Sequence, residues 1–195
     1  MYAYLKGKFT YKSPTQVHVE VNGIGFEVQI SLHTYESITQ KEDGLLYVHQ
    51  LVREDAHLLY GFADRTEKEV FLHLLSVSGV GAATARVMLS SISPTELTRI
   101  IVNGNEAALE KIKGIGKKSA QRIVLELRDK MAKMSIEDYN SSDLKHNTLE
   151  QEALIAMTAL GIAKNAAEAA IKKAIQGGAA LNQVEALIKA ALKCL

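Results

Sequence analysis

The chain has 195 residues, 47% of them apolar and 23% charged, with 23 Lys and Arg against 22 Asp and Glu. This composition supports folded domains and excludes a wholly disordered chain, and a net charge of +1 excludes a uniformly basic nucleic-acid binder. A single cysteine, Cys194, cannot form an internal disulfide; no apolar run nears the roughly 20 residues of a membrane span, and no basic-then-apolar leader is visible, so a cytoplasmic protein with no membrane association is expected.

The first third alternates with period two. Tyr2 to Phe9 reads as a strand before Pro14. Val17, Val19 and Val21 alternate with His18 and Glu20, Asn22-Gly23 supplies a tight turn, and Phe26, Val28 and Ile30 return. A second pair, Leu46 to Val52 and His57 to Phe62, is joined by the polar tip Arg53-Glu54-Asp55-Ala56. Five strands in so short a stretch predict a closed five-stranded OB-fold barrel over residues 1–65.

From Thr66 the period becomes helical. Val70, Phe71, Leu74 and Leu75 share a face, and Ala82 to Leu89 follows a Gly-containing turn. Ser93-Pro94-Thr95-Glu96 opens another helix as a capping box with Pro in the first turn. A short helix reaches Lys111, and after a second Gly turn Ala120, Ile123, Val124, Leu127 and Met131 mark a long one, giving a helical domain over 66–132. Residues 133–147 are polar, include Asn140-Ser141-Ser142-Asp143 and predict a flexible linker. Over 148–195, three stripes predict a three-helix bundle: Ala153, Ala156, Met157 and Leu160; Ala166, Ala169, Ala170 and Ile175; Val184, Leu187, Ile188 and Ala191. So small a core suits a partner-binding module better than a catalytic domain. The fold class is therefore multidomain, β then all-α.

An internal repeat carries the chemistry. Val77-Ser78-Gly79-Val80-Gly81 and Ile112-Lys113-Gly114-Ile115-Gly116 share an apolar-x-Gly-apolar-Gly pattern 35 residues apart, each between helices. The first Gly permits a tight turn, the apolar residue tucks between the helices, and the second Gly lets backbone approach a partner closely. The helix that follows offers free amides and a positive dipole end to a phosphate oxygen without reading a base. One such turn is usually a connector; two matching copies read as a tandem helix-hairpin-helix DNA-binding domain.

Charge is partitioned accordingly: −2 over residues 1–65, +4 over 66–133 and −1 over 134–195. Lys111, Lys113, Lys117, Lys118 and Arg122 surround the second hairpin with no acid between them, whereas only Arg86 stands close behind the first. These six are candidates for neutralising phosphates, with binding that weakens as salt rises. Gly114 to Ser119 imitates a phosphate-binding ATPase loop but has Lys111 where the motif needs Gly, so no nucleotide cofactor is expected. The six histidines, His18, His33, His49, His57, His73 and His146, lack metal-ligand spacing, so no metal is expected either.

Arg53 to Phe62, the two Gly hairpins and Leu160-Gly161 at the head of the last bundle together resemble the RuvA family, DNA-binding subunits of the bacterial Holliday-junction branch-migration complex. The resemblance covers essentially the whole chain, although Met1-Tyr2-Ala3-Tyr4-Leu5 departs from the family's usual Met-Ile-x-x-Leu start. It implies a non-catalytic subunit acting as a homotetramer or octamer on four-way junction DNA, with Glu54 and Asp55 as an acidic pin. It further implies that the C-terminal bundle docks a RuvB-type hexameric ATPase, with a RuvC-type junction resolvase as a further partner. Two other readings compete. A helix-hairpin-helix glycosylase or lyase would use Lys117 or Lys118 with Asp129, and a single-strand binder would stack bases on Tyr2, Tyr4, Phe9 and Tyr11.

Overall fold

A computed structural model describes residues 1–143, 149–176 and 183–195, and the chain divides into two compact units, Met1–Ile136 and Glu137–Leu195. The first unit begins with strands β1 (Tyr4–Ser13), β2 (Gln16–Val21), β3 (Ile24–Ile30), β4 (Asp43–Val52) and β5 (His57–Phe62). They close into a barrel in the order β1-β2-β3-β5-β4, with β3 and β5 parallel and every other pair antiparallel. Asn22 and Gly23 both take positive φ, 51° and 83°, the mirror-image turn whose twist matches its flanking strands. The inward residues of the alternating pattern, Val17, Val19, Val28, Ile30, Leu46 and Val48, fill the barrel with Leu5 and Phe9. Strand β1 extends beyond Phe9 because a bulge between Phe9 and Tyr11 bends it and keeps it paired with β2.

Between β3 and β4 lies α1 (Leu32–Ile38), which the sequence pattern does not announce. Its first turn is capped by Ser31, whose Oγ accepts from the Thr34 amide at 3.0 Å. Five helices follow: α2 (Arg65–Leu75), α3 (Ala82–Ser91), α4 (Pro94–Val102), α5 (Glu106–Glu110) and α6 (Lys117–Asp143), the last of which belongs to this unit as far as Ile136. Asp64, Ser93 and Asn105 cap α2, α4 and α5 by accepting from amides three residues on. One apolar core runs through these helices, including Val70, Phe71, Leu74, Met88, Ile101, Ile123 and Leu127. Strand β5 feeds it: Tyr60 and Phe62 lie against Phe71 at ring separations of 5.2 and 4.8 Å. Leu51 and Leu58, opposite each other near the end of the β4–β5 hairpin, also pack on this core, so the hairpin is built jointly by barrel and helices.

Residues 133–143, expected to begin a flexible linker, continue α6. No Gly or Pro occurs between Lys117 and Asp143 to stop the helix, and polarity alone does not break one. The rest of the expected linker, 144–147, lies outside the described residues.

The second unit contains α7 (Leu149–Ala159), α8 (Lys164–Gln176) and α9 (Val184–Leu192) around Ala153, Met157, Ala167, Ala170, Ile171, Ala174, Leu187 and Ala191. The face of α8 differs from the expected stripe by about one residue: Ala167 and Ile171 are buried while Ala166 and Ala169 are exposed. Alanines on nearly every side cannot mark a face, so the bulk of Ile171 decides it. Leu160, expected inside, is exposed.

Candidate nucleic-acid interface

The two glycine turns repeat bond for bond. In the first, the Val77 amide donates to Leu74 O at 3.1 Å, Val80 to Val77 O at 3.0 Å and Ala85 to Gly81 O at 2.9 Å. In the second, Ile112 donates to Leu109 O at 3.0 Å, Ile115 to Ile112 O at 3.0 Å and Ala120 to Gly116 O at 2.9 Å. Every partner is displaced by the same 35 residues, and the turn glycines Gly79 and Gly114 share a left-handed φ of 90° and 91°. Val80 and Ile115 are buried and pin each turn to the core, while the glycines on either side are exposed.

Gly81 and Gly116 need no left-handed conformation, and a Cβ on either would meet nothing within 4 Å. The fold itself therefore does not require glycine at either position. Gly81 caps α3 without any side-chain bond to the first-turn amides.

Lys111, Lys113, Lys117, Lys118 and Arg122 are all exposed around the second turn. Among the described residues no ion pair engages the four lysines. Arg122 reaches across to the first turn, donating from Nη1 to Ser78 O at 3.2 Å, with Glu126 3.7 Å from its Nε. Arg86 is placed otherwise: its Nη1 donates to Gln29 Oε1 at 2.6 Å and to Thr15 O at 3.2 Å, both on the barrel. Neither contact is visible in the sequence, since the partners of Arg86 stand 57 and 71 positions away.

At the far end of the β4–β5 hairpin the Arg53 amide donates to Ala56 O at 2.8 Å, leaving Glu54 and Asp55 as the exposed end residues. Because Leu51 and Leu58 below them sit on the helical core, the acidic tip and the glycine turns belong to one packed body.

A second cluster joins residues far apart in the sequence. Glu67 is fully buried, and its carboxylate accepts from the hydroxyls of Ser31 and Thr34 and from the Ala63 amide. Burial pushes this carboxyl above its ordinary value, and those hydroxyl bonds only partly oppose the shift. His33, Asp64 and Glu67 bring potential ligand atoms within 4.8 Å of one another, but the Glu67 oxygens are already occupied by donors.

Both competing site sets come apart. Lys117 and Lys118 lie on the first turn of α6 and Asp129 eleven or twelve residues along it, about 16–18 Å at helical rise, too far to share one sugar. Phe9 is buried in the barrel while Tyr2, Tyr4 and Tyr11 are exposed, so the four rings do not share one stacking platform.

Residues 1–61 match the RuvA N terminal domain and residues 71–129 the SAM-like helix-hairpin-helix tandem. The chain is 42% identical over 197 residues to the Holliday junction branch migration complex subunit RuvA of Cytophaga hutchinsonii, covering 99% of each. The chain belongs to the RuvA family. Relatives of the same name from Christiangramia forsetii, at 44% identity over the whole of both chains, and Amoebophilus asiaticus, at 45% over 200 residues, agree. Glu54 and Asp55 fall inside the RuvA N-terminal match, and both glycine turns fall inside the tandem match. The second compact unit lies beyond both matches but within the full-length similarity to RuvA chains. No helix among the described residues is long and apolar enough to cross a membrane.

Proposed function

We propose that this chain is the non-catalytic, DNA-binding subunit of a branch-migration complex, which holds a four-way junction open and recruits an ATP-driven motor for recombination and repair. The observation that carries the reading is the bond-for-bond repeat of two turns whose second glycines, Gly81 and Gly116, are required neither by backbone conformation nor by packing inside the fold. Two such turns on one body grip two successive phosphates along a backbone, binding shape without reading sequence. Exposed Lys111, Lys113, Lys117, Lys118 and Arg122 neutralise the phosphates flanking the second turn.

Glu54 and Asp55 do the opposite. Gathered around the axis of a homotetramer, four such tips repel phosphates from the junction centre and favour separated arms. A second tetramer meeting the first face to face would make an octamer. The C-terminal three-helix unit docks a hexameric ATPase of the RuvB type, the stretch 133–147 lying between it and the DNA-binding body, and a RuvC-type resolvase acts on the same open junction. The setting is the cytoplasm.

Gel-shift competition tests the reading: a labelled four-way junction bound by the full chain is challenged with unlabelled junction or linear duplex of the same sequence. The junction competes at far lower concentration. Equal competition by the two DNAs would overturn the proposal.

A further inference from the structure

The two glycine turns share a backbone but not a charge environment. Between Leu72 and Ser91 the sequence holds one residue among Lys, Arg, Asp and Glu, Arg86, whereas five basic residues flank the second turn. Arg86 is half-buried and its Nη1 is committed to Gln29 Oε1 and Thr15 O of the barrel. One helical turn later on the same face of α3, Ser90 Oγ accepts from the Leu32 amide at 3.0 Å and donates back to Arg86 O at 2.8 Å. Glu67 on α2 completes the attachment by binding Ser31 and Thr34. The helix that leaves the first turn is thus fastened to the β2–β3 side of the barrel by polar bonds of defined direction, in addition to the apolar core that the helices share with Tyr60 and Phe62 of β5.

We infer that Arg86 is a positioning residue that sets the first glycine turn against the barrel and its acidic tip, and that the second turn supplies nearly all side-chain neutralisation of DNA phosphates. This rests on the DNA-binding reading above. The first turn's own segment then contacts phosphate through backbone amides alone, and its strength depends on being held at the correct angle. The second is tolerant of angle, because flexible lysines follow the backbone, but sensitive to salt.

The test measures binding of the full chain to a labelled four-way junction over a series of salt concentrations, for the wild type, Arg86→Gln, Gln29→Ala, their combination and Lys118→Gln. A side chain that neutralises a phosphate contributes about 0.9 to the slope of log affinity against log salt. Lys118→Gln lowers the slope by about that amount. Arg86→Gln and Gln29→Ala each weaken binding roughly five- to tenfold with the slope unchanged, and the combination is no weaker than either alone. Energy transfer between dyes on neighbouring arms of the saturated complex also shifts in both variants, which a mere loss of folded protein would not produce. A slope reduced by Arg86→Gln as much as by Lys118→Gln overturns the inference. So does a Gln29→Ala chain with wild-type affinity and arm geometry, a result that stands even if Arg86→Gln fails to fold. The same slopes taken on linear duplex keep the two readings apart: loss of junction preference by the wild type refutes the function, while the slope comparison still decides the role of Arg86.

Discussion

Arg122 of α6 donates from Nη1 to the carbonyl oxygen of Ser78, 3.2 Å away, so the helix that leaves the second glycine turn holds the loop of the first. The pair is exposed, and what it ties together is the two glycine turns rather than the core.

Replacing Arg122 by Gln should therefore cost at most about 1 kcal/mol in urea unfolding, as for surface charge interactions generally. Junction affinity should fall by roughly tenfold, since a phosphate partner and the registry of the turns go together. A variant that binds as tightly as the wild type would refute the bridge.

The two glycines of the second turn separate conformational from steric need. Gly114 has φ 91°, so Gly114→Ala should destabilise the fold by about 1–2 kcal/mol. Gly116 has no positive φ and open space around it, so Gly116→Ala should keep stability within about 0.5 kcal/mol and still weaken junction binding markedly. Unaltered binding by folded Gly116→Ala would show that nothing approaches that backbone.

Glu54→Gln with Asp55→Asn removes two exposed charges from a tip that makes no core contact, so the melting temperature should not move. Junction binding should persist, and the rate of motor-driven branch migration should change. Loss of binding in this double variant would contradict an excluding role for the acids.

Burial holds the Glu67 carboxyl above its ordinary value of 4.5, so the folded chain binds this proton more readily than the unfolded one. Its favourable contribution is complete below the unfolded value and is lost as pH rises through the folded one. Glu67→Gln cannot titrate. The stability of the wild type minus that of the variant should therefore fall as pH rises from about 4.5 towards neutrality, measured by urea unfolding at each pH. A difference that stays flat or grows with pH would refute the shift.

What the sequence made legible was local. Asn22-Gly23 between alternating valines marks its hairpin, and the glycine repeat marks both turns, because each signal is complete within a few residues. Helix α1 stayed hidden because seven residues give too little periodicity, and its cap, Ser31, is also bound to Glu67, 36 positions later. Arg86 shows the same limit at the site. Its nearness to Gly81 suggests a phosphate contact, but Thr15 and Gln29 reach it only once the barrel closes. The near-zero net charge likewise conceals a basic helical segment and an acidic hairpin tip on one body.

The claim that the chain opens a junction is tested most directly by energy transfer between dyes on adjacent and opposite arms of an immobile four-way junction in magnesium, which folds the free DNA into stacked pairs. On saturation with the full chain, transfer between all adjacent arm pairs should converge towards one value, as in an open four-fold arrangement. Retention of the unequal, stacked pattern in the saturated complex would contradict the account.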